Sequence, residues 1–261
     1  QHTYNALPQK YKDEVKFIVQ PHEYDEMASI YGEQVLCLPE GINKIAATRN
    51  WIMHEFKDYR YMCFDDDMQG FVIKEPYILD GKEKWKSRNF EESDFDDWFN
   101  HVEKWMDEGY VHGAMLPATI KPVSGRWPYQ ANFRIVTNCF WDGPNLPIDK
   151  INWTRVESGE DFDVALQLLS MGYPNMVSTK WMVSPSATNA KGGCSEWRDV
   201  EYHNKYQREL AKLWPGIINL KETTVKSGPW KGEKKLNVTI QWKKAYKSCV
   251  EKKGTLNEFF V

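Results

Sequence analysis

Residues 59–68 read YRYMCFDDDM, a short apolar and aromatic run that stops on three consecutive aspartates. Tyr59–Phe64 has the length and composition of a buried strand. In an open α/β sheet, ligands gather beyond the carboxyl ends of the strands, so the place of these acids matters more than their number. Side chains alternate along an extended chain, which sends Asp65 and Asp67 to one side and Asp66 to the other. Two carboxylates on one side of a strand end suit a hard divalent cation, Mg2+ or Mn2+, of the kind held by one or two carboxylates plus substrate phosphates. The same triplet also suits an acidic turn that caps the next element, and the residues alone leave both open.

Upstream, VKFIVQ (15–20) is β-rich, residues 22–31 are polar and helical, and VLCL (35–38) is a second short strand closed by Pro39 and Gly41. Residues 45–56 carry Ile45, Ile52 and Phe56 at helical spacing. Strand, helix, strand, helix, strand predicts an α/β fold with a mixed, mostly parallel sheet and crossover helices. Downstream, the pattern predicts an acidic helix over 91–108 with Trp98, Val102, Trp105 and Met106 buried. It predicts a strand over 133–140, a helix over 160–171 closed by Gly172, a helix over 200–214 and a strand over 238–242. A nucleotide-binding sheet ordinarily begins with a strand. Either VKFIVQ is not the first strand, or residues precede Gln1 in the native chain.

A chain of 261 residues can bury a large core without staples. Its 41% hydrophobic and 27% charged residues exclude a disordered or membrane-embedded chain, and no apolar run approaches the ~20 residues of a spanning helix. No stretch reads as a signal peptide. Five widely spaced cysteines with no C-x-x-C predict reduced thiols and a cytoplasmic setting. The net charge of −3 excludes a simple basic nucleic-acid coat, but the charge is uneven. Residues 221–253 hold ten Lys and three Glu, so the remainder is acidic. That segment is either a solvated lysine-rich surface or a phosphate-facing patch on an acidic body. The division predicted is one domain over 1–220 with a basic extension over 221–261.

Three further motifs could carry chemistry. GEDFD (159–163) opens an amphipathic helix; its acids either complement the helix dipole or offer a general base beside a bound nucleotide. TRN (48–50) offers an Arg that forks onto diphosphate and an Asn that reads a base edge, or merely a surface ion pair. KGGCS (191–195) lets backbone approach a phosphate or sugar, or is an ordinary tight turn; it is not a P-loop.

Together IAATRNWI (45–52), YMCFDDD (61–67), GEDFDVALQLL (159–169) and GGCSEWR (192–198) resemble glycosyltransferases of the GT-A (Rossmann-like) fold. Within these, the chain resembles the TET-associated DNA glycosyltransferases of bacteriophages, which place a sugar on 5-hydroxymethylcytosine. The resemblance implies that Asp65 faces the ribose and Asp67, with Asp65, binds Mn2+ or Mg2+ at the diphosphate of a UDP-sugar, UDP-glucose or UDP-N-acetylglucosamine. It places Arg49, Asn50, Asp65, Asp66, Gly192 and Gly193 around the donor. Asp161 falls on the catalytic base of inverting members, with Glu160 beside it as acceptor or sugar contact and Asp163 as a rival base. A third metal ligand has no clear match, since His203 lies inside a predicted helix.

For the acceptor, Trp127, Tyr129, Asn132 and Arg134 interleave aromatics with polar groups that could stack a base and read its edge, or simply fold as a loop. A target inside a duplex must first be flipped out. Lys243 and Lys244 would hold the DNA backbone. The resemblance implies a phage enzyme acting in the host cytoplasm without a membrane or an obligate protein partner. Two rivals remain: the same chemistry on a glycan, lipid-linked or protein acceptor, and a non-catalytic nucleotide-sugar-binding module.

Overall fold

The first strand–helix units form where the periodicity puts them. The computed structural model describes residues 2–121, 125–136, 138–185 and 199–249. Two short helices, α1 (His2–Ala6) and α2 (Gln9–Lys12), precede β1 (Phe17–Val19), α3 (Tyr24–Tyr31), β2 (Val35–Cys37), α4 (Ile45–Glu55) and β3 (Arg60–Cys63). β1 and β2 pair in parallel, Phe17 opposite Val35 and Val19 opposite Cys37. β3 does not join them. It lies at the edge of a larger sheet, paired antiparallel with a strand eighty residues on.

That sheet is built from β3, β4 (Gly70–Leu79), β5 (Lys82–Asn89), β6 (His112–Pro117), β7 (Tyr129–Ala131), β8 (Cys139–Asp142) and β9 (Asn175–Ser184), with α5 (Glu92–Asp107) and α6 (Glu160–Ser170) between strands. The order is β3-β8-β6-β9-β4-β5, with β7 also on β9. The sheet is mixed, as expected, but not mostly parallel: β6–β9 is the one parallel pair among its described ladders. The cause is local. β4 turns straight into β5 through Asp80 and Gly81, both at positive φ (52° and 68°). A two-residue turn of that hand can only join antiparallel strands.

Residues 133–136 and 138 are not strand, against expectation, and β8 starts only at Cys139. Asn132 and Asn138 sit in the left-handed region (φ 54° and 53°), which interrupts any extended run between them.

The two sheet faces carry two cores. Ala114, Leu116, Cys139, Trp141 and Val177 meet α6 through Val164 and Leu168 on one face. Met115, Phe140, Met176 and Trp181 meet α5 through Trp98 and Val102 on the other. Neighbours in sequence thus serve opposite cores, the period-two logic of a sheet buried on both sides. Trp98 and Trp181 are each 1% exposed with ring centroids 5.8 Å apart. Burial of this kind stabilises by about 2–3 kcal/mol per large side chain. α5 is fixed at its start by a capping box between Glu91 and Asp94, and Asp94 also takes a two-pronged bond from Arg88.

α7 (Val200–Leu213), β10 (Ile218–Thr224) and β11 (Lys234–Ile240) complete the fold. Asn204 on α7 accepts from the Leu236 N–H at 2.6 Å and donates to the Lys234 carbonyl at 2.8 Å, pinning the β10–β11 hairpin. Residues 242–249 are helical, with Trp242 and Ala245 buried in the core beside α6. Among the described residues no helix is long and apolar enough to cross a membrane. The four described cysteines, Cys37, Cys63, Cys139 and Cys249, are free.

Candidate active site

The acidic turn after β3 gets its shape from the far end of the chain. Thr3 on α1 is buried, and its hydroxyl donates to the Asp65 carbonyl and accepts from the Met68 N–H at 3.1 Å. The Thr3 N–H reaches the Asp66 carbonyl at 3.2 Å. Three backbone groups of the turn are thereby satisfied, and the side chains of Asp65, Asp66 and Asp67 stay exposed. Burial, then the neighbouring charges of Asp65 and Asp66, raise the Asp67 carboxyl above its ordinary value.

Opposite stands the start of α6. Gly159 adopts φ 80°, a left-handed turn that admits glycine readily and swings the first helical turn toward the acids. Glu160, Asp161 and Asp163 occupy that turn, where the helix dipole favours negative charge. They have different fates. Glu160 is buried and bonds Arg49 Nη1 at 2.7 Å. Asp163 is wholly buried beneath Trp214, whose Nε1 donates to it at 2.7 Å, with Gln167 also at 2.7 Å. Asp161 remains at the cleft, where its carboxylate accepts from the Phe162 N–H at 2.8 Å and from its own backbone N–H.

Arg49 on α4 joins the two acid sets, reaching Glu160 and, at 3.9 Å, Asp65. Burial works against its charge, but Glu160, Asp161 and Asp65 outweigh burial and hold the guanidinium above its ordinary value. For Asp161 the balance runs the other way. Burial first, then repulsion from Glu160, push its carboxyl up to about 7, against the pull of Arg49.

One cleft of about 2150 Å3 is lined by Thr48, Arg49, Asp65, Asp66, Asp67, Glu160 and Asp161 together with β1. It exceeds the few hundred Å3 of an ordinary small-molecule pocket and leaves space for a nucleotide sugar and part of an acceptor. A smaller cavity of about 40 Å3 is lined by Arg49, Asp65 and Asp161 together with Asn138, Trp141 and Trp153. Two cysteines line it, and neither is a nucleophile: burial pushes the Cys63 thiol to about 12 and Cys139 well above its ordinary value.

Other expected residues lie elsewhere. Asn50 does not line the cleft; its carbonyl meets His54. Trp127 donates to the Lys74 carbonyl of β4 at 2.9 Å, and Tyr129 packs edge-on against Trp105 of α5, both away from the cleft lining. Asn132 holds a backbone turn against Asn175. Arg134 does come near: burial lowers its guanidinium from the ordinary value and Asp161 opposes that shift. Lys243 and Lys244 are exposed on the final helix, with Lys244 capping the Gly216 carbonyl at 2.9 Å, and neither lines the cleft. His203 is tied to the Leu236 carbonyl and to Tyr206, a brace between α7 and β11. Gly192 and Gly193 fall outside the described residues.

The chain belongs to the TET-associated glycosyltransferase family: the family's profile matches residues 1–193. It is a glycosyltransferase by that membership. Among characterised proteins it is similar to the beta-glucosyl-HMC-alpha-glucosyl-transferase of Enterobacteria phage T6, 27% identical over 259 residues, spanning 98% of this chain and 89% of the relative. The protein of the same name from Enterobacteria phage T2 is 26% identical over the same span of 259 residues. No solved structure matches the chain.

Proposed function

We propose that the protein moves a hexose from a UDP-sugar to the hydroxymethyl group of 5-hydroxymethylcytosine in DNA, on a GT-A scaffold. The observation that carries this is the convergence of the 65–67 acids and the 160–161 acids on one cleft, bridged by Arg49. One set suits the diphosphate end of a donor and the other suits the acceptor hydroxyl. A binding module would have little use for a carboxyl as strained as Asp161.

A divalent cation fits this donor set. Asp65 and Asp67 offer hard oxygen ligands; burial first, then repulsion from Asp65 and Asp66, raises Asp67, and a cation would offset that repulsion. Among the described residues no three ligating side chains gather by themselves, so phosphate oxygens and water would complete the shell. Bound there, Mn2+ or Mg2+ would neutralise charge on the departing diphosphate. The chain's own residues do the rest. Arg49 orients Glu160 and faces the diphosphate side. Asp161 takes the proton of the attacking hydroxyl, help worth roughly 10²–10⁴-fold when the base is positioned. A single displacement at the anomeric carbon with one base inverts its configuration.

A second reading rests on the relatives' names, which specify an alpha-glucosyl product on an already beta-glucosylated base. Here the acceptor would be a sugar hydroxyl on the modified base, and an α-linked donor would react with retention. One experiment separates the two: hydroxymethylated DNA and its glucosylated form are incubated with a panel of UDP-sugars, and the nucleosides are analysed by mass spectrometry and NMR. A β-linked product on the hydroxymethyl group supports the first reading. An α-linked disaccharide supports the second, and no transfer to either DNA rejects a DNA acceptor. Asp67→Ala should abolish the Mn2+-dependent part of UDP binding in calorimetry; unchanged titration removes Asp67 from the metal role.

A further inference from the structure

We propose that the small cavity beneath Arg49 and Asp161 seats the hydroxyl edge of the transferred hexose, and that Asn138 reads two of its hydroxyls. This rests on the donor reading above and goes beyond it by naming the sugar subsite.

Asn138 is 4% exposed and lines the cavity. Neither its Nδ2 nor its Oδ1 meets a hydrogen-bond partner. Buried amides are almost always paired, so one left with an open donor and an open acceptor calls for an explanation. Its backbone is held at φ 53°, where asparagine is tolerated and most side chains are not. The residue is thus fixed in place, just ahead of β8, with its amide unanswered. A pair of vicinal hydroxyls, each both donor and acceptor, gives each of the two amide atoms a partner.

Size and position choose the ligand. About 40 Å3 admits a few water-sized groups, such as hydroxyls, but not a planar nucleobase. Asp65 and Asp161 both line the cavity. In the proposed reaction the anomeric carbon lies between the diphosphate, on the Asp65 side, and the acceptor hydroxyl, on the Asp161 side. The sugar is the one part of the substrates that must lie there.

The test compares wild type with Asn138→Gly, which removes the amide at a φ that glycine accepts, and Asn138→Asp, which keeps the shape and loses the donor. Each is assayed on hydroxymethylated and glucosylated DNA with Mn2+. The donors are the UDP-hexose that wild type transfers and its monodeoxy analogues; calorimetry measures UDP affinity. Wild type should lose roughly 10–100-fold in kcat/KM at one or two deoxy positions, the usual effect of stranding a buried polar group. In Asn138→Gly that discrimination should shrink to within about threefold at every position, and in Asn138→Asp at the hydroxyl that accepts from Nδ2, while UDP affinity holds. Wild-type discrimination at every position in the variants would overturn the subsite and leave Asn138 facing trapped water. A parallel loss of UDP affinity would overturn it too, as the mark of a structural role. If wild type transfers from no UDP-sugar, the donor reading itself fails, and the subsite with it. Should Asn138→Gly not fold, the Asp variant carries the comparison at the hydroxyl that accepts from Nδ2.

Discussion

At the scale of the residue, Asp161 is placed where folding and chemistry pull in opposite directions. Its carboxyl is raised to about 7 by burial and by Glu160, so the native state binds a proton there that the unfolded chain, with an ordinary carboxyl, has released above about pH 4. Stability from this group is present below the unfolded value and is lost as pH rises through 7. Asp161→Asn should therefore raise the melting temperature by a few degrees at pH 8, a gain on the order of 1 kcal/mol, and leave it nearly unchanged at pH 4. The same variant should keep donor binding and lose transfer by at least roughly 100-fold. Wild-type turnover in Asp161→Asn would move the base elsewhere. In wild type, kcat/KM should climb with pH through about 7, because the base must be ionised to accept a proton.

At the scale of the element, the amphipathic helices α4, α5 and α6 and the strand β3 were legible because each carries its own period or its own stop signal. Several strands were not. β9 reads NMVSTKWMVS, and buried on both faces it shows no alternation to separate it from a buried helix. The β4–β5 hairpin hid despite a usable signal, the Asp80-Gly81 pair between two β-prone runs. β6 was missed for a steric reason that only the packed sheet reveals. A Cβ on Gly113 would stand 1.9 Å from the Met176 carbonyl and 2.4 Å from the Phe140 ring. That close approach lets β6 sit between β8 and β9. Gly113→Ala should cost about 2–4 kcal/mol in urea unfolding. A loss below 0.5 kcal/mol would mean that β6 slides freely.

At the scale of the whole molecule, the acids of the site came from local sequence, but their convergence did not. Arg49 and Glu160 are 111 positions apart, and nothing in either segment names the other. The charge asymmetry was visible early, and the structure shows what bears it: the β10–β11 hairpin and the final helix, anchored on α7 and the core. Their lysines lie outside the cleft lining, where long DNA could meet them while one nucleotide enters the site. Neutralising Lys243, Lys244 and Lys247 should raise the KM for DNA several-fold, flatten its dependence on salt, and leave the KM for donor alone. Equal effects on both substrates would detach this surface from the acceptor.

The grip of Thr3 on the turn that follows β3 has a practical corollary. Loss of its hydroxyl, in Thr3→Val, should spare both cores yet release the loop that presents three carboxylates. The outcome expected is a molecule whose circular dichroism looks ordinary and whose melting temperature falls only by a few degrees, while its Mn2+-dependent UDP titration weakens about tenfold, with Thr3→Ser restoring both. A bulky tag fused beside the first helix would risk the same defect, giving a preparation that folds and is blind to its donor.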